Sequence, residues 1–306
     1  MIYQRMPRVA FFTYNEWAYG NIHKALIKEL YVNGIQSDII DWSRSYTLEE
    51  FKQLLDVYDV FMTHTCDSLT ILRNYGVPDE KIVVVSHGRP DLQKGQEMGH
   101  DYSKLRGYAG VSHDLADYSR KLGHTREMTI LQCGVSFDYF YRKPSNALST
   151  LGYAGSFARE DKFDSIPDLK RGYLVQAISN STNTPLHRTP TQTHLAMPSF
   201  YKNVDCVMVS SVYESCSLPL LESAAAGRLP VSSPVGITLD LESTPGYLLP
   251  PNDADYVIEG VSLINKLKED NKLFQRKCRE AQEYAREYYD WSVVIAPWIK
   301  FIVDGL

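Results

Sequence analysis

Short apolar runs alternate with amphipathic stretches along the whole chain. Val9 to Thr13 is a buried-strand pattern, and Gly20 to Asn33 places Ile22, Ala25, Leu26 and Leu30 on one helical face, with Gly34 as the stop. The alternation continues with a strand at Gln36 to Asp41 and a helix at Leu48 to Leu55 opened by Thr47. A strand follows at Val57 to Thr63, then a helix at Leu69 to Tyr75 ended by Gly76 and Pro78. Ile82 to Ser86 is a β-branched strand, Leu105 to Ser112 holds another, His113 to Leu122 is a helix, and Met128 to Leu131 closes the series.

The pattern restarts after the polar stretch Tyr141-Arg142-Lys143-Pro144-Ser145-Asn146, which reads as a linker. Strands are expected at Leu151 to Ala154, Asp205 to Ser210, Leu229 to Ser232 and Tyr247 to Leu249. Helices are expected at Leu169 to Ser179, Leu218 to Ala226, Ala254 to Lys268, Asn271 to Tyr288 and Trp291 to Val303, while Asn180 to Thr193 reads mainly as loop. Strand and helix in strict alternation imply parallel sheets with helices on both faces, and ligands then bind at the edge where the strands end. The expectation is an α/β chain of two domains, residues 1–145 and 146–290, followed by a last helical segment, 291–306.

Composition narrows the picture. The chain has 306 residues, 44% hydrophobic and 23% charged, which is ordinary globular usage. A formal charge of −5 with no basic stripe gives no nucleic-acid signal. The five cysteines are scattered and in no metal-ligand spacing, which fits reduced thiols and a cytoplasmic location. The first residues show no signal-peptide pattern, and no apolar run reaches the roughly 20 residues that span a bilayer.

The most informative stretch runs Ser210-Ser211-Val212-Tyr213-Glu214-Ser215-Cys216-Ser217-Leu218-Pro219-Leu220-Leu221-Glu222-Ser223-Ala224-Ala225-Ala226-Gly227. It follows a buried strand and opens a helix. Ser217 suits the N-cap and Pro219 the first turn. The amides of Leu218 and Leu220 would then be free at a helix start, which carries partial positive charge and attracts phosphate. Glu214 before that start and Glu222 one turn into the helix could accept hydrogen bonds from sugar hydroxyls on either side of a diphosphate. Each glutamate taken alone fits a solvated loop or helix face equally well; the joint arrangement favours a site.

Two glutamates separated by seven residues in this setting resemble the signature of the retaining glycosyltransferases of family four, which have the GT-B fold. Gly227-Arg228-Leu229-Pro230-Val231, Ser233-Pro234-Val235-Gly236, Met197 to Asp205, Gly246 to Pro250 and Tyr288-Tyr289-Asp290-Trp291 extend the resemblance over about Gly152 to Trp291. It implies two Rossmann-like, doubly wound domains facing a central cleft, with the acceptor on the first and the nucleotide-sugar donor on the second. By the same resemblance the last helix crosses back to the first domain.

The resemblance also implies roles. Glu214 would touch the transferred sugar, Glu222 the ribose, and Ser217, Leu218, Pro219 and Leu220 the sugar and phosphate. Gly155 lies on the loop after the first strand of the second domain, where Ser156 replaces the family's arginine. Arg159 would substitute for it, and Arg171 matches the family's lysine before glycine. In the first half, Gly20 stands at the family's glycine loop, and His64 and His87 end strands where the family often has histidines. Catalysis would rest on Glu214, His87 and Arg171.

The implied reaction is metal-independent transfer from a UDP- or GDP-sugar to an unnamed acceptor, such as a glycan or a lipid-linked sugar, with retention and with no other cofactor. Asp253-Ala254-Asp255 spells a metal-binding triplet of another fold, but its place before a helix suits N-capping better. Peripheral membrane contact stays open. So do a phosphorylase- or epimerase-like enzyme on the same fold, a non-catalytic nucleotide-sugar binding protein, and transfer to modified nucleic-acid bases.

Overall fold

The computed structural model describes residues 5–14, 17–155, 169–189, 194–239 and 246–304, with no side-chain detail at 17–19. The chain divides into two compact units, 1–133 with 291–306, and 134–290.

The first unit runs β1 (Arg8–Thr13), α1 (Trp17–Val32), β2 (Gln36–Asp41), α2 (Leu48–Val57), β3 (Val60–Thr63), α3 (Asp67–Asn74), β4 (Ile82–Ser86), α4 (Arg89–Glu97), β5 (Gly107–Gly110), α5 (His113–Lys121) and β6 (Thr129–Ile130). Its strands are parallel, in the order β2-β1-β3-β4-β5-β6. β3 and β4 are buried throughout, as expected of β-branched and aromatic strands covered on both faces. A capping box starts α2: the Glu50 amide donates to Thr47 Oγ1 (3.2 Å) and the Thr47 amide to Glu50 Oε2 (2.8 Å).

The second unit runs α6 (Phe137–Phe140), β7 (Leu151–Tyr153), α7 (Gly172–Thr182), β8 (Leu186–Arg188), α8 (Met197–Lys202), β9 (Cys206–Val209), α9 (Leu218–Ala225), β10 (Leu229–Ser232), β11 (Tyr247–Leu248), α10 (Asp253–Glu269) and α11 (Asn271–Tyr289). Its parallel sheet has the order β11-β10-β9-β7-β8. Strand alternation divides the core between the faces. Cys206 and Met208 of β9 join Leu229 and Val231 against Leu174, Ile264 and Phe274, whereas Val207 joins Leu221, Ala224 and Ala281. Gly227 closes α9 with φ +67°, its amide on the Ala224 carbonyl, and a Cβ there would stand 2.8 Å from Pro144 Cα.

The last helix, α12 (Trp291–Val303), belongs to the first unit. Trp298 Nε1 donates to the Gln132 carbonyl (2.9 Å), and the Phe301 ring fills the space a side chain at Gly107 would need. No helix among the described residues is long and apolar enough to cross a membrane.

Both sheets reverse their winding direction once, between β1 and β3 and between β7 and β9. These are the places where an open α/β sheet leaves a crevice at its strand ends. α4, α6, β8 and the expected linker depart from the sequence expectation; α6 is a single four-residue turn, too short to show a period. α4 is highly charged and buries only Leu92 and Gly95, so it lacks an apolar stripe. β8 is a three-residue edge strand within a polar loop. The expected linker stretch is tied into the second unit, where the Ser145 amide donates to the Gly227 carbonyl (3.0 Å) and Gln282 Nε2 donates to the Arg142 carbonyl (2.8 Å).

Candidate active site

In the second unit, the loop after β9 and the turn before α7 are stitched together. The Val212 amide donates to the Leu169 carbonyl (2.8 Å), Ser210 Oγ to the Lys170 carbonyl (2.8 Å), and the Tyr153 hydroxyl to the same carbonyl (3.0 Å). The turn places Arg171 in the left-handed region, φ 44°, which few non-glycine residues adopt. That single residue delays α7 to Gly172 and sends the two neighbouring cations to different places.

Lys170 Nζ reaches Glu214 Oε1 at 2.5 Å, and Ser211 Oγ donates to the same oxygen at 2.6 Å. Arg171 is buried instead. Its Nε donates to the Ser210 carbonyl (2.7 Å), its Nη1 to the Pro251 carbonyl (2.6 Å) and Asp253 Oδ1 (2.8 Å), and its Nη2 to the Ser211 carbonyl (3.3 Å). Hydrogen bonds from the Tyr173 hydroxyl and from Arg171 hold the Asp253 carboxyl below its ordinary pKa. The cation expected at position 171 is therefore engaged in holding the loop, and position 170 supplies the one at Glu214. N-capping of α10 falls to Asn252, which accepts from the Asp255 amide (2.9 Å).

Glu214 keeps 16% of its side chain exposed. Behind its loop stands Gly236, φ +55°, where a Cβ would lie 2.6 Å from the Glu214 carbonyl oxygen. Glu222 is almost fully covered. It accepts from the buried Tyr201 hydroxyl on Oε2 (2.8 Å), and His194 Nε2 stands 3.2 Å from Oε1. Burial first, then the Glu222 charge, raises the Tyr201 pKa well above its ordinary value, so the phenol stays a donor.

The start of α9 lies between these carboxylates in sequence. Pro219 takes the first turn. Ser217 makes no side-chain capping bond; its hydroxyl is buried and has no hydrogen-bond partner among the described residues. The Leu218 amide donates to the Cys216 carbonyl and the Leu220 amide to the Ser217 carbonyl, both at 3.0 Å, so neither is free as expected. A tight turn at 216–218 replaces the open helix end. Gly155 follows β7, and Ser156 and Arg159 lie outside the described residues.

In the first unit, His64 and His87 directly follow β3 and β4. His23, on α1, completes a triangle with them: the ring centroids are 5.7 Å (His23–His64), 5.8 Å (His23–His87) and 5.8 Å (His64–His87) apart. Thr13 Oγ1 lies 3.0 Å from His64 Nε2. Burial lowers the His64 pKa to about 4 and, with the His64 charge, the His87 pKa to about 3. His23 falls well below its usual value, mainly by burial and then by its two neighbours. Gly20, expected in a loop before the first helix, sits within α1. Among the described residues no group of three or more His, Cys, Asp or Glu side chains could hold a metal ion.

Four residues of these clusters were not singled out from the sequence: Lys170, His194, Tyr201 and His23. Tyr201 lay inside a segment that carried the family resemblance, but His194 lay in a stretch read as loop.

Residues 170–265, which hold Lys170, both glutamates and all of α9, match the family model described as "Glycosyl transferases group 1". HepE from Anabaena, solved in complex with UDP and glucose, superposes with a TM-score of 0.72 at 12% identity, over 98% of this chain and 100% of that one. The fold is GT-B. Sucrose-phosphate synthase from Thermosynechococcus elongatus has a TM-score of 0.67 at 14% identity, with 97% and 98% of the two chains covered. A glycosyltransferase from Rickettsia africae has 0.65 at 12% identity, with 99% and 100% covered. No curated protein matches the chain in sequence. The GT-B scaffold and the group 1 segment together support a glycosyltransferase.

Proposed function

We propose that this GT-B chain transfers a sugar from a nucleoside-diphosphate sugar to an acceptor hydroxyl, with retention of anomeric configuration and without a metal ion. The observation that carries the reading is the start of α9. There Ser217 lies in sequence between Glu214, which pairs with Lys170, and the covered Glu222, all in one continuous matched segment, and its buried hydroxyl has no partner among the described residues. An unsatisfied buried hydroxyl costs about 1–3 kcal/mol, and a diphosphate oxygen would satisfy it.

In this reading the bond from the acceptor oxygen to the anomeric carbon forms on the face from which the diphosphate leaves. The bond from that carbon to the diphosphate oxygen breaks, and the acceptor proton passes to the departing oxygen. Lys170 and the positive end of α9 offset the charge that builds on the diphosphate. Glu214 accepts a sugar hydroxyl and Glu222 the ribose. With the amides of Leu218 and Leu220 engaged, the phosphate contact rests on Ser217 and Lys170. Roles for His87, His64, Gly20, Gly155, Pro219, Ser156 and Arg159 rest on the family resemblance alone. The five free thiols support a reducing, cytoplasmic setting.

UDP is the first nucleotide to test, because HepE is also solved with UDP-glucose. UDP at 100 times its dissociation constant should add about 2.7 kcal/mol of stability, seen as a rise in melting temperature, with GDP and ADP as controls. Incubation with UDP-glucose and an acceptor panel should give product with the donor's anomeric configuration by NMR, undiminished by EDTA. If UDP, GDP and ADP all leave the melting temperature unmoved, the donor reading fails. If a nucleotide binds and Glu214→Ala leaves turnover unchanged, catalysis at this site fails.

A further inference from the structure

The contacts around Glu222 point to a positioning device on the nucleotide side of the site. Glu222 is a buried carboxylate with 5% of its surface exposed, and both of its oxygens have protein partners. A carboxylate only accepts hydrogen bonds, so the Tyr201 hydroxyl donates to Oε2, and His194 must carry its proton on Nε2 to donate to Oε1. Each oxygen has two lone pairs, so one acceptor position per oxygen remains on Glu222.

Neither donor is free to drift. Tyr201 is fully buried on α8, with Phe140 and Phe200 at edge-to-face angles of 73° and 65°. The His194 ring lies near-parallel to Tyr139 (5.9 Å, 21°) and edge-on to Phe140 (5.4 Å, 77°). Three aromatic rings thus fix the direction from which each donor meets the carboxylate. The two remaining acceptor positions then face a fixed direction, and the ligand group that matches them is a pair of neighbouring hydroxyls.

We propose that His194 and Tyr201 are positioning residues that hold Glu222 in the one orientation able to accept both hydroxyls of a ribose diol. The inference rests on the donor reading given above, and goes beyond it by naming what enforces the choice of a ribonucleotide. It predicts that the two residues act on affinity through the diol alone.

The experiment measures binding of UDP and of 2′,3′-dideoxy-UDP by calorimetry to the full-length wild type and to Tyr201→Phe, His194→Ala and His194→Gln, with the guanosine and adenosine pairs run alongside. Wild type should favour the ribonucleotide. Tyr201→Phe and His194→Ala should each weaken it about five- to tenfold, while dideoxy-nucleotide binding changes less than twofold. His194→Gln, which keeps an N–H donor, should recover most of the loss. Tyr201→Phe lies in the core, so its melting temperature is recorded; His194 is partly exposed, and its variants alone decide the outcome if Tyr201→Phe fails to fold. Equal weakening of both nucleotides by the His194 variants, or no weakening of the ribonucleotide, overturns the inference while leaving the donor reading intact. Wild type that binds none of the nucleotides, or binds without regard to the diol, removes the donor or ribose reading and this inference with it.

Discussion

The strand ends of the two units solve the problem of buried polar groups in opposite ways. In the first unit, α1 and the ends of β3 and β4 bring three imidazoles together, and burial, as the main cause, lowers the pKa of each. In the second unit, β9 and the neighbouring turn place charged groups in pairs: Lys170 with Glu214, and Arg171 with Asp253. The first edge responds to acid, and the second is held by charge pairs and by donors such as Tyr201. A neutral cluster lowers the cost of burial by giving up charge; a paired one keeps the charge and fixes its direction.

The largest test of that contrast is acid. His64 and His87 have folded-state pKa values below their ordinary 6.5, so the unfolded chain binds more protons as pH falls. Their contribution is intact above about pH 6.5 and is lost as pH drops toward 4. At pH 5 each should cost the first unit about 2 kcal/mol, and His23 acts in the same direction. All four tryptophans belong to the first unit, so their fluorescence follows it alone. The urea midpoint by fluorescence should fall between pH 7.5 and pH 5 further than the exchange protection of core amides in the second unit. Equal shifts in both would erase the distinction.

Arg171→Ala comes next. Removing a buried guanidinium from four acceptors should cost the second unit about 3 kcal/mol, read as faster amide exchange in β9 and α7 with unchanged tryptophan fluorescence. Arg171→Lys should not restore it, because an ammonium cannot span the same acceptors. The residue beside it should behave differently. Lys170→Met should lower turnover by about 2 kcal/mol of transition-state stabilisation, roughly 30-fold, while exchange in β9 stays as in wild type. If Lys170 and Arg171 variants give the same profile, the division of labour between them is wrong. Gly236→Ala should have the most local effect: beyond about 1–2 kcal/mol for the left-handed φ, its Cβ, 2.6 Å from the Glu214 carbonyl oxygen, must push the Glu214 loop aside, seen as a several-fold weaker donor affinity.

Much of this was legible in the chain before folding. β4 and β10 are runs of apolar and β-branched residues with sharp polar ends, and α9 carries its own start, Ser217 and Pro219, and its own stop, Gly227. Such signals are local, so they survive reading from sequence. Lys170 and Arg171 could not be told apart that way. Which of them faces Glu214 depends on a left-handed backbone at Arg171, a conformation that glycine announces and arginine does not. His23 was hidden for a different reason: on α1 it reads as one polar residue on a helix, and its meaning depends on two residues more than forty positions away. His194 and β8 lay in a polar stretch that carries no periodicity, so only tertiary contacts reveal them. Ser156 and Arg159 fall outside the described residues and stay as the resemblance left them.

The return of α12 to the first unit has a consequence for biosynthesis. Residues 134–290 form one uninterrupted stretch, whereas the first unit needs Trp298 against Gln132 and Phe301 against Gly107 before its sheet is covered. On the ribosome the first unit therefore waits, with part of its apolar surface bare, until residues 291–303 have been made, and the intervening stretch can close first. Nascent first-half chains should for that reason be the stage most dependent on chaperones.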